Sequence, residues 1–217
     1  MIDLQCRSLG DAWVELVNLT MRQGVPLDEE GLECLGVRLR FPPGDSTDAV
    51  VAVFGDPVMV QEMDRVFFSE GTNRLGHSYA KLMRGPDGRH DLLDVVRVLR
   101  EKASSKRAVV TFATDTVGKV PCINNVQFLI RGGELLTVYF SRGQDAYKKF
   151  YADALCLGTM ARKVAGELDL PTGQVTAFIS SSHVYRSDFP AIERFLSEAS
   201  AEDVAAPGPH ATSPARL

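Results

Sequence analysis

The stretch NVQFLIRGGELLTVYFSR, residues 125–142, constrains the fold more than any other part of the chain. Two apolar, β-branched and aromatic runs of strand length flank Gly132 and Gly133, and a glycine pair in that position reads as a tight hairpin turn. A two-stranded hairpin is marginal by itself in water, so further strands are needed. The chain offers RAVVTFAT at 107–114 and GQVTAFISSSH at 173–183. CLGVRLRF at 34–41 and AVVAVFG at 49–55, separated by the turn-rich PPGDST, are expected to join one sheet as well. Helical spacing covers the rest. SLGDAWVELVNLTMRQG carries Ala12, Leu16, Leu19 and Met21 near helical spacing before a stop at Gly24. HDLLDVVRVLREKA sets Leu92, Val95, Val96 and Leu99 on one face, and FYADALCLGTMARKVAGELDL has helical period and length. The reading is an α+β fold: one domain over residues 1–203 with at least three helices, and a small-residue, Pro-rich stretch at 204–217 expected to be disordered.

Composition narrows the function classes. With 217 residues, 45% of them hydrophobic, the chain is long enough for a sizeable core. A formal net charge of −4 disfavours an electrostatic grip on a nucleic-acid polymer, though a local anion pocket stays open. Cys6, Cys34, Cys122 and Cys156 form no CxxC pair and sit near no histidine cluster, so neither a metal site nor a disulfide framework is expected. MIDLQCRSLGDAW lacks the basic-then-apolar order of a signal peptide, and no run approaches a membrane span; a cytoplasmic protein with no membrane partner is expected.

Chemistry-bearing residues fall in a fixed order. Pro121 and Cys122 precede the strand-like INNVQFLI; Arg142 closes the hairpin; Asp145 and Asp153 follow it at offsets of three and eleven; His183 and Tyr185 lie on one side of a later strand. Arg142 at a strand end can take an anion bidentately. Singly, each has an ordinary reading: a packed thiol, a surface ion pair, a plain strand.

Taken in order, these residues resemble the thymidylate synthase family, the pyrimidine-nucleotide C5 transferases, over roughly residues 76 to 189. The family's Pro-Cys before a Gln-Phe strand matches Pro121, Cys122, Gln127 and Phe128; its Arg-Ser-x-Asp matches Arg142-Gly143-Gln144-Asp145; its His-x-Tyr matches His183 and Tyr185. GHSYAKLMRGPDGRHDLLDVVRVL is similar to the family's Gly-x-x-Tyr-Gly-Lys segment, and SSKRAVVTF to its paired arginines. The resemblance implies a mixed β-sheet packed with helices, a sheet-mediated homodimer, a pyrimidine nucleoside monophosphate substrate, and 5,10-methylene-tetrahydrofolate or a related pterin as one-carbon donor. It implies Cys122 as the nucleophile adding to C6 of the pyrimidine, with Arg142 favouring the thiolate. By the same resemblance Arg142 and a partner's Lys106 and Arg107 take the phosphate, and His183 and Tyr185 hold the sugar hydroxyl. Asp145 sits between pyrimidine and pterin, and Tyr79 joins the water network that removes the C5 proton.

The departures from the family pattern carry the specificity. Its pyrimidine-reading Asn falls on Asp153. Uracil presents an O4 acceptor and an N3–H donor, which suits an amide; cytosine presents an amino donor and a bare N3, which suits a carboxyl group. Family members with Asp here are cytidylate hydroxymethylases, which implies transfer of a one-carbon unit to C5 of CMP or dCMP to give the 5-hydroxymethyl nucleotide, for a modified nucleoside or nucleoside antibiotic. Gly143 in place of Ser and Lys106 in place of Arg leave room that favours CMP over dCMP. The Arg-rich phosphate loop has no match, PLDEEGLECLG standing in its place, with Arg38 and Arg40 as substitutes. For the general-base carboxylate, VQEMDRVFFSEGTN, with its Gly71-Thr72-Asn73 turn, offers Glu62 first and Asp64 second. The tryptophan-bearing folate segment and the apolar C-terminal lid are missing. Two other readings stay open: a compact methylase of a pyrimidine nucleotide, and a nucleotide-binding relative without catalysis.

Overall fold

A computed structural model of the chain describes residues 1–69, 71–72, 78–84, 92–112 and 120–202. The stretch at 204–217, Asn73 of the expected turn, Gly76 before Tyr79, and the last two residues of RAVVTFAT lie outside the described residues. In chain order the elements are β1 (Ile2–Gln5), α1 (Leu9–Gln23), β2 (Val25–Leu27), β3 (Gly31–Phe41), α2 (Ala49–Phe54), α3 (Pro57–Phe68), α4 (Tyr79–Arg84), α5 (Leu92–Glu101) and β4 (Val109–Thr111). There follow β5 (Ile123–Arg131), β6 (Glu134–Ser141), β7 (Gln144–Asp145), α6 (Phe150–Glu167), β8 (Thr172–Tyr185), a short 3-10 turn at Arg186–Asp188, and α7 (Phe189–Glu202).

The strands make one mixed sheet in the order β1-β3-β8-β6-β5-β4, with β2 against β3 and β7 against β8. The hairpin forms as read: β5 and β6 pair antiparallel, and Gly132 and Gly133 turn the chain at φ of +60° and +83°, a region a side chain would oppose. β8 is the spine of the sheet, antiparallel to β3 and parallel to β6. A parallel neighbour needs a long crossover, which α6 supplies between β7 and β8. This helix is buried on nearly every side, from Phe150 through Ala165, as its near-continuous apolar sequence requires.

Aromatic packing ties the helices to the front of α6. Trp13 on α1 lies with ring centroids 4.2 Å from Tyr151 and 4.4 Å from Phe195 on α7, and its indole N–H donates to the Tyr147 carbonyl at 3.0 Å. Among the described residues, no helix is long and apolar enough to cross a membrane.

Residues 49–55 correct the sequence reading, for they form α2 and not a strand. A short apolar run is ambiguous by pattern, and here the preceding residue decides it. The Asp48 carboxylate accepts from Val50 N and Val51 N at 3.1 and 3.2 Å, capping the helix, and from Gly10 N at 2.8 Å, joining it to α1. Gly10 is required at that contact, since a Cβ there would stand 2.3 Å from Asp48 Oδ1. β1 and α7 were not anticipated from the pattern.

The Asp48 junction gives a stability test. Asp48→Ala removes the cap and the link to α1 together and should lower the unfolding free energy by about 2 kcal/mol, measured by urea denaturation. Asp48→Asn, which keeps an acceptor oxygen, should lose clearly less.

Candidate active site

The site begins with a change of face in the sheet. Inward residues recur every second position until one level, where the interval becomes three: Val37 to Cys34 on β3, Ile179 to Ser182 on β8, and Ser141 to Gln144 from β6 to β7. The three changes lie side by side, because Val37, Ile179 and Ser141 are register partners, as are Cys34, Ser182 and Gln144. Gly36, at φ +68°, lies within the change on β3, and unpaired Arg142 and Gly143 form it between β6 and β7. Bulges of this kind bend a strand and re-aim its side chains. Beyond the kink, Gln144, Asp145, His183 and Tyr185 all face one cavity.

Cys122 stands at the rim of the kink, half-buried, one residue before β5. Its carbonyl accepts from Arg142 N at 2.9 Å, and Ser141 Oγ lies 3.1 Å from it. The Arg142 guanidinium closes over the preceding turn, donating to the Val120 carbonyl through Nε at 3.0 Å and Nη2 at 2.7 Å. On the other side, Ile123 N donates to the Tyr79 hydroxyl at 3.2 Å, and the Tyr79 ring stacks on Phe67 at 4.2 Å. The thiol therefore rides on a backbone pinned from both directions.

The cavity, about 310 Å³, brings together Cys122, Glu62, Asp145, Asp153, His183 and Tyr185 from five separate segments of sequence. His183 and Tyr185 meet edge to face at 5.4 Å. Gly143 lies beneath them, where an added Cβ would meet only His183 Cε1 at 3.9 Å. Other sequence candidates stand apart. Asp64 opens on a different hollow with Cys156 and Arg162. Lys106 and Arg107 are exposed beside β4, and Gln127 Nε2 donates to the Lys106 carbonyl at 2.8 Å. Tyr79 is buried behind the backbone next to Cys122, and Arg142 is exposed, its guanidinium on the main chain. Arg38 and Arg40, expected as substitute phosphate ligands, are instead held by Asp3 of β1, and neither lines the cavity.

Burial governs the charges here. Asp153, on the first turn of α6, is 3% exposed; Oδ2 accepts from Gln144 Nε2 at 2.9 Å, and Oδ1 has no partner among the described residues. Desolvation lifts its pKa from an ordinary 3.8 to about 6 against the opposing pull of the Gln144 bond and Lys149. Burial likewise raises Asp145, whose Oδ1 accepts from Tyr147 N and Lys148 N at 3.1 and 2.9 Å. The Cys122 thiol is also pushed up, first by burial and next by the Asp153 charge, while Arg142 and Lys149 pull it down. In the ligand-free chain Arg142 thus favours the thiolate, as expected, but burial outweighs it.

Sequence reasoning missed Gln144, Met59, Lys148 and Lys149 on the cavity wall. Gln144 occupied the variable place between Gly143 and Asp145, where only its pairing with a buried carboxyl marks it. The two lysines sit between chemistry-bearing residues and read as solvated charge.

This order of Cys122, Arg142, Asp145, Asp153 and His183 around one kinked sheet can be compared with known proteins. The family model described as Thymidylate synthase matches residues 58–206. The chain belongs to the thymidylate synthase family. Curated relatives agree: proteins named "Putative thymidylate synthase" from Methanothermobacter thermautotrophicus and Methanosarcina barkeri are 26% and 24% identical, each over 89% of this chain and over 97% and 94% of their own lengths. A protein of the same name from Methanocaldococcus jannaschii is 31% identical over 48% of this chain and 51% of its own. Membership implies a transferase acting at C5 of a pyrimidine.

Asp153 has a measurable stability signature. Because its folded pKa of about 6 exceeds the ordinary 3.8, the folded chain binds the extra proton, and this contribution is full below about pH 4 and lost as pH rises through about 6. Ionised Asp153 then costs on the order of 3 kcal/mol at neutral pH. Asp153→Asn should therefore raise Tm at pH 8, and the gain should shrink towards pH 5, read by thermal unfolding across that range.

Proposed function

We propose that this member of the thymidylate synthase family transfers a one-carbon unit to C5 of a cytosine nucleotide and releases the 5-hydroxymethyl product. The observation that carries the reading is Asp153: a buried carboxyl group lining the cavity, with one oxygen unpartnered among the described residues, at the position that the sequence resemblance gives to the family's base-reading amide. A protonated carboxyl donates to bare N3 and accepts from the amino group, matching cytosine and mismatching uracil. Its raised pKa makes that protonated form accessible near neutral pH.

The residues divide the work. Cys122 Sγ bonds C6, and the electron pair passes to C5, which becomes the nucleophile. When the cytosine edge selects the protonated form of Asp153, its proton taken from solvent, the second-largest influence holding up the Cys122 thiol disappears, so binding the right base favours the thiolate. Glu62, across the same cavity, is the carboxylate that receives the C5 proton through water, and the C6–S bond breaks in the final step to free Cys122. Tyr79 and Arg142 hold the main chain on either side of the thiol, and Asp145 is fixed by its own turn. His183 and Tyr185 face the sugar, and the open space over Gly143 favours a ribose, hence CMP over dCMP.

The one-carbon donor has a compatible wall. A second hollow of about 200 Å³, formed by Trp13, Phe54, Tyr147 and Tyr151 together with Asp56, shares Met59 and Lys148 with the first. The partly exposed Phe54 and Tyr147 rings and the exposed Asp56 carboxylate offer a pteridine an apolar wall and an acceptor. Methylene-tetrahydrofolate, when bound, supplies carbon at the oxidation level of formaldehyde and leaves as tetrahydrofolate, water completing the hydroxymethyl group without any oxidation of the donor. The exposed positions of Lys106 and Arg107 suit a phosphate contact made across a homodimer, and the outer sheet face carries Leu136, Val138 and Phe140, the last 39% exposed, as apolar surface for the second copy.

Tritium release from 5-tritiated CMP, dCMP, UMP and dUMP, each with methylene-tetrahydrofolate, tests the reading. Release should be fastest from a cytosine nucleotide and be abolished by Cys122→Ser and Cys122→Ala. Equal or faster release from dUMP would overturn it.

A further inference from the structure

Gln144 is 1% exposed, yet it lines the cavity, and it stands at the row where the sheet changes face. Pairing of β7 with β8, Gln144 opposite Ser182, fixes its backbone, and the Ser182 hydroxyl is in turn 2.7 Å from that of Thr20 on α1. The side chain has little freedom. Its Nε2 donates to Asp153 Oδ2 at 2.9 Å. A carboxylate only accepts, so the amide must turn its NH2 towards Asp153 and leave Oε1 facing elsewhere.

Gln144 Oε1 and Asp153 Oδ1 are both buried and, among the described residues, both without a hydrogen-bond partner. Buried polar atoms are paired in the great majority of folded proteins, and an unpaired one at a cavity wall is waiting for a donor. Both residues line the one cavity, so these atoms mark the place for a ligand edge that pairs with a carboxyl group and presents a further N–H beside it. An exocyclic amino group has two hydrogens on a single nitrogen, one for the carboxyl group and one for Oε1. A carbonyl oxygen at the same place would confront Oε1.

We propose that Gln144 is a specificity-determining residue of this site: its Nε2 holds Asp153 in register, and its Oε1 accepts the second hydrogen of the cytosine amino group. This rests on the cytosine reading of Asp153 and extends it, since the base is then tested by two side chains from different elements. Uracil O4 meets an acceptor at Gln144 as well as a mismatch at Asp153.

The pair is separable by calorimetric binding of CMP and UMP to the full chain at several pH values, with Gln144→Met as the near-isosteric variant that loses both polar atoms. Wild type should prefer CMP. Gln144→Met should lose roughly tenfold to a hundredfold of that preference. It should also move the pH midpoint of CMP binding upward, because the Gln144 bond lowers the Asp153 pKa. The other titratable groups that feel Asp153, namely Lys149, Asp145, Cys122, Tyr79, Tyr139 and Cys156, are unaltered in that variant, so the midpoint isolates the one hydrogen bond. Gln144→Asn, shorter by one methylene but still polar, is expected to behave alike and serves if the Met variant does not fold. A folded variant that keeps the wild-type ratio and midpoint overturns the role of Gln144 alone. Absence of any CMP preference in wild type overturns the cytosine reading and this inference with it.

Discussion

A carboxyl group held inside the protein by an amide rather than by a cation is the interaction on which the site turns. Asp153 sits where α6 is buried on nearly every side, and among the described residues its carboxyl group is hydrogen-bonded by Gln144 alone. Burial disfavours its charge, and that charge in turn disfavours a thiolate at Cys122. The resting chain is therefore doubly frustrated: an acid that resists ionisation beside a thiol that, as the proposed nucleophile, needs it. On the cytosine reading, a base whose bare N3 accepts from the carboxyl O–H selects the protonated form of Asp153, which relieves the first strain and, by removing negative charge, the second. On that proposed reading specificity and activation become one event, in which the correct edge of the ring both fits and switches on the thiol.

That arrangement depends on the kinked sheet. Without the interval of three shared by β3, β8 and β6–β7, strict alternation would carry Gln144 and Ser182 to the other face of the sheet. The kink also leaves Arg142 and Gly143 unpaired, which frees Arg142 N for the Cys122 carbonyl. Geometry at Cys122 is thus a by-product of strand irregularity, fixed by hydrogen bonds to the main chain on either side of the thiol.

Much of this was legible in the sequence, and the limits are physical. The hairpin, the helices α1, α5 and α6, and the strands β3 and β8 follow from glycine placement and apolar period, which local chemistry dictates. α2 was misread because six apolar residues fit either element, and the deciding contact joins Asp48 to Gly10, far off in sequence. The residues that gather in the cavity were found through their order along the chain. Gln144 was not, because a glutamine in a polar turn looks unremarkable until the fold buries it against a carboxyl group. The exposed state of Arg142 and the pairing of Arg38 and Arg40 with Asp3 were equally out of reach, since each is set by a partner on another strand or turn.

The central claim is that Asp153 reads the base, and the specificity constants for tritium release from cytosine and uracil nucleotides, compared between wild type and Asp153→Asn, test it most directly. The amide should pair with uracil N3–H and O4 and leave cytosine with an unmatched bond, a difference of about 1–3 kcal/mol. The cytosine-to-uracil ratio should then fall by roughly tenfold to a hundredfold. A folded Asp153→Asn protein with the wild-type ratio would contradict the account.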